Sequence, residues 1–281
     1  PSASDAPERD PVRWLLEASI DGIVWEILDD RTGVDYATPT ARETATPALP
    51  IQLASPITPL PFAPRHSTTL LVEKSSGADR IWNVNPDNDS VTVSSAAGTV
   101  LAEIPVGDRP WSLARQPGQA HVYVVNKGSA SISVIDAATL TSIRTIALDR
   151  ASEPHGLVFS ADGSTYYVVL EAAARVEKRL AATDALLGSL ALSGRPRHVS
   201  IGNDDARLLV SNFVTPPIPG ESTLSVAVAS GAAQVFSIEP ATMTLDETIA
   251  LTHDGRAQSE SQGPGMPNYL GPAVVDFAGQ R

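Results

Sequence analysis

Residues Arg109 to Leu148 read RPWSLARQPGQAHVYVVNKGSASISVIDAATLTSIRTIAL and contain the pattern from which the fold can be predicted. This stretch contains three short runs rich in Val, Ile, Thr and Tyr, namely HVYVVN, SISVID and SIRTIAL, separated by small polar turns. Runs of this composition between turn-forming residues are typical of β-strands in a small antiparallel sheet. If the same pattern occurs elsewhere, the chain is an array of such sheets, so repeats are sought first.

The pattern returns at a fixed spacing. Pro110 in RPWSL has counterparts in EPHGL at Pro154, 44 residues on, and in RPRHV at Pro196, a further 42 residues on. The sixteenth residue after each proline ends an apolar run: Asn126 ends VYVVN, Leu170 ends YYVVL and Asn212 ends LLVSN. The next run starts five residues later in the first two copies, at SISVID and RVEKRL.

Partial copies flank these three. An earlier copy has IWNVN ending at Asn85 and SVTVSS starting at Ser90. In the copy that follows Pro196, the step after Asn212 is 22 residues, up to Gln234, so about seventeen residues are inserted. Such an insert either shapes a binding face or is a neutral surface excursion. A further copy starts at MPNYLGPAVVDFAGQR and stops with the sequence.

A period near 42 residues with about four short strands per copy is typical of a β-propeller blade. We therefore predict an all-β fold, a partial propeller of about four four-stranded blades. The segment EAAARVEKRLAATDALL (Glu171 to Leu187) is helical by composition, but its register with the other copies predicts a pair of strands. Because four copies and a stub leave strand edges unpaired, we expect the missing blades beyond Arg281.

The stretch VYVVNKGSASISVIDAATLTSIRTIALD resembles the YVTN-type β-propeller repeat, with Tyr123-Val124-Val125-Asn126 at the position of the family's signature. Valine replaces the signature threonine, YYVVL lacks the asparagine and LLVSN lacks the tyrosine. The resemblance covers residues 68–281, which we predict to be the propeller. It implies the fold and little about activity, because one fold supports many functions.

The chain before the repeats has another character. The segment from Trp14 to Ile51 contains LEASIDGIVWEIL and resembles the C-terminal part of a discoidin-like (F5/8 type C) β-sandwich. That resemblance implies core positions at Trp14, Leu16, Trp25 and Leu28, and a family that binds carbohydrate or lipid head groups. We assign residues 1–53 to this fragment and residues 54–67 to a linker, because proline at this density interrupts strands and helices.

Composition excludes several classes of function. The formal net charge of −12 argues against a nucleic-acid partner, which needs a basic face. The absence of cysteine excludes disulfides, thiolate metal sites and a CxxCH haem attachment within this chain. No apolar run is long enough to predict a transmembrane segment. The sequence starts without Met or a signal core, so we expect a processed or excised chain with further domains on both sides.

Candidate binding residues cluster in the copies around the repeated prolines. Residues there enter the innermost strand of a propeller blade, beside the central channel, so several blades direct side chains to one mouth. The predicted ligand-binding residues at this mouth are Arg109, Trp111, His155, Arg197, His198, Asn268 and Tyr269. His155 and His198 fit either a metal or redox centre or two partly solvated loop histidines. With no third ligand identifiable, the prediction is no metal site.

Catalytic signatures are missing. The sequence has no GxSxG, HExxH, Walker A or GxGxxG motif, so we predict no catalytic residues. Asn85, Asp87 and Asp89 alternate as in a calcium loop, but the Gly and Glu that complete such a loop are missing, which favours a polar turn.

Two functions follow as hypotheses. The first is a non-catalytic binding or scaffold module of an exported bacterial multidomain protein, extracellular or periplasmic, whose loops bind a protein or carbohydrate partner without a cofactor in this chain. The alternative is the propeller portion of a periplasmic redox enzyme, because YVTN-type propellers resemble those fused to cytochrome-like peroxidase domains. A haem motif downstream would distinguish the two.

Overall fold

The computed structural model describes residues 13, 15–18, 26–30, 32–33, 65–74, 79–202, 204–214, 233–251 and 269–274. Every regular element in these ranges is a β-strand. The described residues include no helix with the length and hydrophobicity needed to cross a lipid bilayer. The chain divides into two compact units, Pro1–Ala63 and Pro64–Arg281.

The first unit contains a two-stranded antiparallel sheet. Strand β1 (Leu15–Ala18) pairs with β2 (Glu26–Asp30), with an irregularity between Leu16 and Glu17. Trp14 and Trp25, and the side chains of Leu16 and Leu28, lie outside the described residues. The discoidin-like core therefore stays a prediction.

The second unit contains four antiparallel sheets, which confirm the partial propeller and are called blades 1 to 4. A two-residue strand, β3 (Arg65–His66), precedes them and pairs with the first strand of blade 4. Blade 1 comprises β4 (Leu70–Glu73), β5 (Arg80–Asn85), β6 (Ser90–Ser95) and β7 (Val100–Pro105). Blade 2 comprises β8 (Pro110–Arg115), β9 (His121–Asn126), β10 (Ser131–Asp136) and β11 (Thr141–Ala147). Blade 3 comprises β12 (Pro154–Phe159), β13 (Thr165–Leu170), β14 (Arg175–Leu180) and β15 (Leu186–Ala191). Blade 4 comprises β16 (Pro196–Ile201), β17 (Leu208–Asn212), β18 (Ala233–Glu239) and β19 (Thr244–Leu251).

The repeated spacing in the sequence is the register of the sheets. Each repeated proline pairs with the residue sixteen positions later, because the first two strands of the blade form a hairpin: the pairs are Pro110 with Asn126, Pro154 with Leu170, and Pro196 with Asn212. The step of five residues is the next hairpin, in which Asn126 pairs with Ser131 and Leu170 with Arg175. The same step joins Asn85 to Ser90 in blade 1.

The segment with helical composition forms strands, as its register predicts. Arg175–Leu180 forms β14, and Leu186 and Leu187 begin β15, which pairs with β14 in blade 3, while residues 171–174 and 181–183 form turns. Val176 is fully buried between blades 3 and 4, and Ala181 packs in the cluster between blades 2 and 3. Tertiary packing therefore outweighs the intrinsic helix propensity of this segment.

The core lies between neighbouring blades, so that blades 2 and 3 each bury both faces of their sheet. In β9, Val122 and Val124 face blade 1, whereas Tyr123 and Val125 face blade 3. This alternation follows from the two-residue period of a strand, and burial on both faces explains why VYVVN is apolar throughout. The fourth strands are the exposed rims: Val100 and Leu186 are both more than half exposed.

Two segments next to the blades complete the described structure. Residues 65–69, called the strap, run past the first strands: His66 pairs with Ser200 of β16, and the Leu113 amide donates to the Thr68 carbonyl. Residues 269–274 form no strand but pack on blade 4, where Leu270 and Ala273 contact Leu209 and Val235. The insert at 215–232 and the rest of the predicted fifth copy lie outside the described residues.

Candidate functional site

Three β-bulges build the candidate site. In β8, β12 and β16 the pairing shifts directly after the first proline, so that Trp111, His155 and Arg197 stand in equivalent irregular positions of blades 2, 3 and 4. A bulge bends the strand and redirects the side chain that it carries. The repeat thus delivers one redirected side chain per blade to the same end of the molecule.

A second set of side chains stands beside the bulges. Lys127, Glu171 and Phe213 each follow the residue that pairs with the repeated proline. Their backbone amides donate to the carbonyls of the residues that precede those prolines: Arg109 at 2.9 Å, Glu153 at 3.0 Å and Arg195 at 2.9 Å. Sequence reasoning missed this set, although one step beyond the sixteen-residue spacing locates it. Their position relative to the repeated proline is the signal that could have identified them, because the three residue types have no chemistry in common.

Glu171 is the electrostatic centre of this end. Its side chain is fully buried and accepts salt bridges from Lys127 Nζ at 2.6 Å, Arg197 Nη2 at 2.9 Å and Arg195 Nε at 3.3 Å. Burial by itself raises the pKa of Glu171, but the hydrogen bonds from Arg197 and Lys127 outweigh it, and the pKa is lowered. Glu171 is therefore an ionised carboxylate that holds cations from blades 2 and 4 together.

His155 and His198 pack edge to face, with ring centroids 4.9 Å apart, and Trp111 lies 5.4 Å from the His155 ring. His155 is 2% exposed, and this burial, followed by the charges of His198, Arg197 and Lys127, lowers its pKa to about 2. Burial and then the Arg197 charge also lower the pKa of His198. Both rings are neutral at physiological pH, so each can donate one hydrogen bond and accept another.

Aromatic contacts extend the site toward blade 4. The Lys127 ammonium lies 5.6 Å from the Trp111 ring centre, and the Arg197 guanidinium lies 3.4 Å from that of Phe213. Phe213 in turn contacts Tyr269, at 5.1 Å between centroids. These cation–π contacts add attraction within the row of charges and rings.

A cavity of about 220 Å³ opens beside the rings. Trp111, His155 and His198 line it on the blade side, and His66, Ser67 and Thr68 of the strap line the other side. Its walls thus combine an indole, imidazoles and hydroxyl groups. A larger cavity of about 440 Å³ lies at the opposite end of blades 2 and 3, beside Gln116, His121 and Arg144. There Arg144 forms a salt bridge with Asp184 at 3.2 Å, and none of the bulge residues takes part.

The predicted binding residues fall into three groups. Trp111, His155, Arg197 and His198 come together at the cavity and its rim, and Tyr269 joins them through Phe213. Arg109 lies apart: its backbone has φ 51°, its amide donates to Asp89 at 2.8 Å, and its guanidinium approaches Asp108 at 3.9 Å. Asn268 lies outside the described residues.

His155 and His198 are the side chains that the sequence analysis considered as metal ligands. Among the described residues, no three His, Cys, Asp or Glu side chains come close enough to share a metal ion. The calcium-like run forms the polar turn between β5 and β6, as predicted. There Asn85 Nδ2 donates to Ser90 and Thr92, and Asp89 accepts the amide of Arg109.

Comparison with known proteins supports the fold. No protein-family profile and no curated protein sequence matches the chain. Among solved structures it is similar to Kuenenia stuttgartiensis hydrazine synthase, with 25% identity, 62% of this chain and 46% of that chain covered, and a TM-score of 0.53. Two weaker likenesses are dihydro-haem d1 dehydrogenase NirN in complex with DHE (15% identity, TM-score 0.47) and a Lactobacillus plantarum protein (18%, 0.47). They cover 65% and 60% of this chain and 38% and 54% of those chains.

The chain is a partial β-propeller. It spans about half or less of the length of each of these neighbours.

Proposed function

We propose that the chain is a non-catalytic binding module of an exported bacterial multidomain protein, extracellular or periplasmic, that binds a protein or carbohydrate partner with its propeller loops. The observation that carries this proposal is the cavity between the bulges and the strap, which is lined by Trp111 on the blade side and by Ser67 and Thr68 of the strap. An aromatic face with a few convergent polar groups is the usual composition of a ligand site.

The domain context that we propose is the one expected from the sequence. Residues 68–281 are YVTN-type blades, in which the signature asparagine has a physical role: Asn126 Nδ2 donates to Ser131 at 3.0 Å and Ser133 at 2.9 Å, across the hairpin. Residues 1–53 are a discoidin-like fragment and residues 54–67 a linker, whose last residues form β3 (Arg65–His66) and pair with blade 4. Further domains continue the protein, and no cofactor is held by this chain.

Binding to glycan and protein arrays tests the proposal. We expect the chain to select a small group of carbohydrates or proteins, and Trp111→Ala to weaken that binding about tenfold or more, because a buried aromatic contact is lost. His198→Gln should weaken it as well. His121→Gln, the same change in the cavity at the opposite end of the blades, is the matched control. If Trp111→Ala and His121→Gln bind alike, the cavity is not the binding site.

The second candidate is the propeller portion of a periplasmic redox enzyme. The likeness to hydrazine synthase, at 25% identity with a TM-score of 0.53, favours it. This chain has no cysteine, so a covalent haem of the CxxCH type would sit on another part of the parent protein. A visible spectrum and metal analysis of the full-length protein test this: a Soret band or stoichiometric metal supports the enzyme, and a colourless, metal-free protein contradicts it.

A further inference from the structure

We infer that the ligand of the bulge-side cavity carries a carboxylate, and that a hexuronic acid residue is the class it fits; this rests on the proposed binding function. The inference comes from a charge imbalance at the rim. Lys127, Arg195 and Arg197 converge on Glu171, and Glu153 lies 3.4 Å from Lys127. Among the described residues in these ion pairs, three cations thus face two carboxylates, a local charge of +1 in a chain of net charge −12.

The cations differ in how far they reach the solvent. The side chains of Lys127 and Arg197 are 13% and 16% exposed, whereas that of Arg195 is 56% exposed and approaches Glu171 with Nε at 3.3 Å. A guanidinium this exposed can be reached by an arriving anion from solvent. A guanidinium presents its donors in a planar fork that matches a carboxylate.

The cavity beside these cations suits a single ring. Its volume of about 220 Å³ is below the range of roughly 300–1,000 Å³ found for drug-sized ligands. Trp111 joins the two parts of the site, because its ring lines the cavity and lies 5.6 Å from the Lys127 ammonium. A sugar ring against Trp111 can thus carry a carboxylate toward the cationic rim while its hydroxyls meet Ser67, Thr68 and His198.

The alternative cavity near Arg144 lacks this imbalance. There Asp184 neutralises Arg144, and Asp162 adds a negative charge to the lining. An acidic ligand is therefore expected at the bulge end only.

Calorimetric titration of the full chain with single sugars tests the inference. Glucuronic, galacturonic and mannuronic acids are each compared with the neutral parent hexose and with acetate. We expect at least one uronic acid to bind about tenfold more tightly than its neutral parent, since a hydrogen bond to a charged group exceeds a neutral one. That preference should weaken as salt concentration rises.

Two variants test the contribution of the Arg195 charge separately from the contact of the sugar ring with Trp111. Arg195→Gln should lower uronic acid affinity about tenfold and leave neutral hexose binding within about twofold, because Arg195 is exposed and its removal costs little stability. Arg150→Gln, an exposed arginine at the same end of the blades, is the matched control and should change neither.

Equal affinity for acid and parent sugar, or acetate binding as tight as the acid, overturns the inference. If neutral sugars or a protein bind through Trp111 and no uronic acid is preferred, the proposed binding function stands and the inference of an acidic ligand is wrong. If no array partner depends on Trp111, the proposed function itself fails.

Discussion

Blades 2 and 3 share one backbone plan and fill it with different chemistry. In blade 2, Asn126 ends β9 and its amide bridges to Ser131 and Ser133, so the hairpin is held by a neutral, fully buried network. In blade 3 the equivalent of Asn126 is Leu170, which packs in the core between the two blades. The polar interactions of that hairpin are ionic instead.

The ionic version centres on Glu177, the counterpart of Ser133. Its carboxylate accepts from Arg175 Nε at 2.8 Å and from Arg179 Nε at 2.9 Å, and it is 2% exposed. Arg175 also pairs with Asp149 at 2.5 Å. Both hairpins nevertheless have the same five-residue step and the same pairing. The comparison teaches that the register comes from the spacing of turns and apolar residues, and that the polar positions tolerate either solution.

The largest effect should come from removing the centre of the ionic hairpin. Glu177→Ala leaves Arg175 and Arg179 partly buried without their common partner, so we expect the free energy of unfolding to fall by about 3 kcal/mol. Ser133→Ala, the matched change in blade 2, should cost about 1 kcal/mol, because it removes one neutral hydrogen bond. Urea denaturation measures both. Equal losses would show that the two hairpins do not differ in the way their contacts indicate.

Replacing the polar residue of the blade 2 hairpin by its blade 3 counterpart should have an intermediate effect on the free energy of unfolding. Asn126→Leu places the blade 3 residue in blade 2 and leaves two buried serine hydroxyls without their amide donor, so we expect a loss of about 2 kcal/mol. The triple variant Asn126→Leu, Ser131→Ala, Ser133→Ala should recover most of this loss, because no buried polar group is then unpaired. Should the triple variant be less stable than the single one, the asparagine network is not what limits the exchange.

The smallest effect should be on the pH dependence of stability, where the bulges of blades 2 and 3 differ. Blade 2 carries Trp111, which does not titrate, where blade 3 carries His155, whose pKa burial lowers to about 2. Below pH 6.5 the unfolded chain binds a proton at this histidine and the folded chain does not, so stability falls as pH decreases. The slope for one such group approaches about 1.4 kcal/mol per pH unit.

His155→Gln should therefore remove about 1.6 kcal/mol of the stability loss between pH 6.5 and pH 5, with thermal or urea unfolding at several pH values as the measurement. His121→Gln keeps His155 and His198 and should retain the steeper slope. An unchanged slope in His155→Gln would mean that His155 titrates in the folded protein.

The site could be predicted only in part. The repeated prolines located Trp111, His155, Arg197 and His198, because position relative to the proline is a local property of each blade. The same rule selected Arg109, which its positive φ and its contacts with Asp89 and Asp108 hold apart from the cavity. Lys127, Glu171 and Phe213 went unnoticed, because a charged or aromatic residue at a strand end has many ordinary explanations.

The blade follows from the amino-acid sequence alone. Turn residues, alternating apolar positions and fixed steps of sixteen and five specify hairpins between neighbours in the chain, so strand order and pairing follow from local spacing. The register of the neighbouring copies also predicted strands within Glu171 to Leu187, although the composition of that segment is helical.

The contacts between blades follow instead from the packing of the folded chain. Glu171 is buried because Lys127, 44 positions before it, and Arg197, 26 positions after it, reach it from adjacent blades. The cavity exists because the strap passes the first strands of blades 2 and 4. Such meetings depend on how the sheets twist and pack against one another, and no local spacing in the chain encodes that distance.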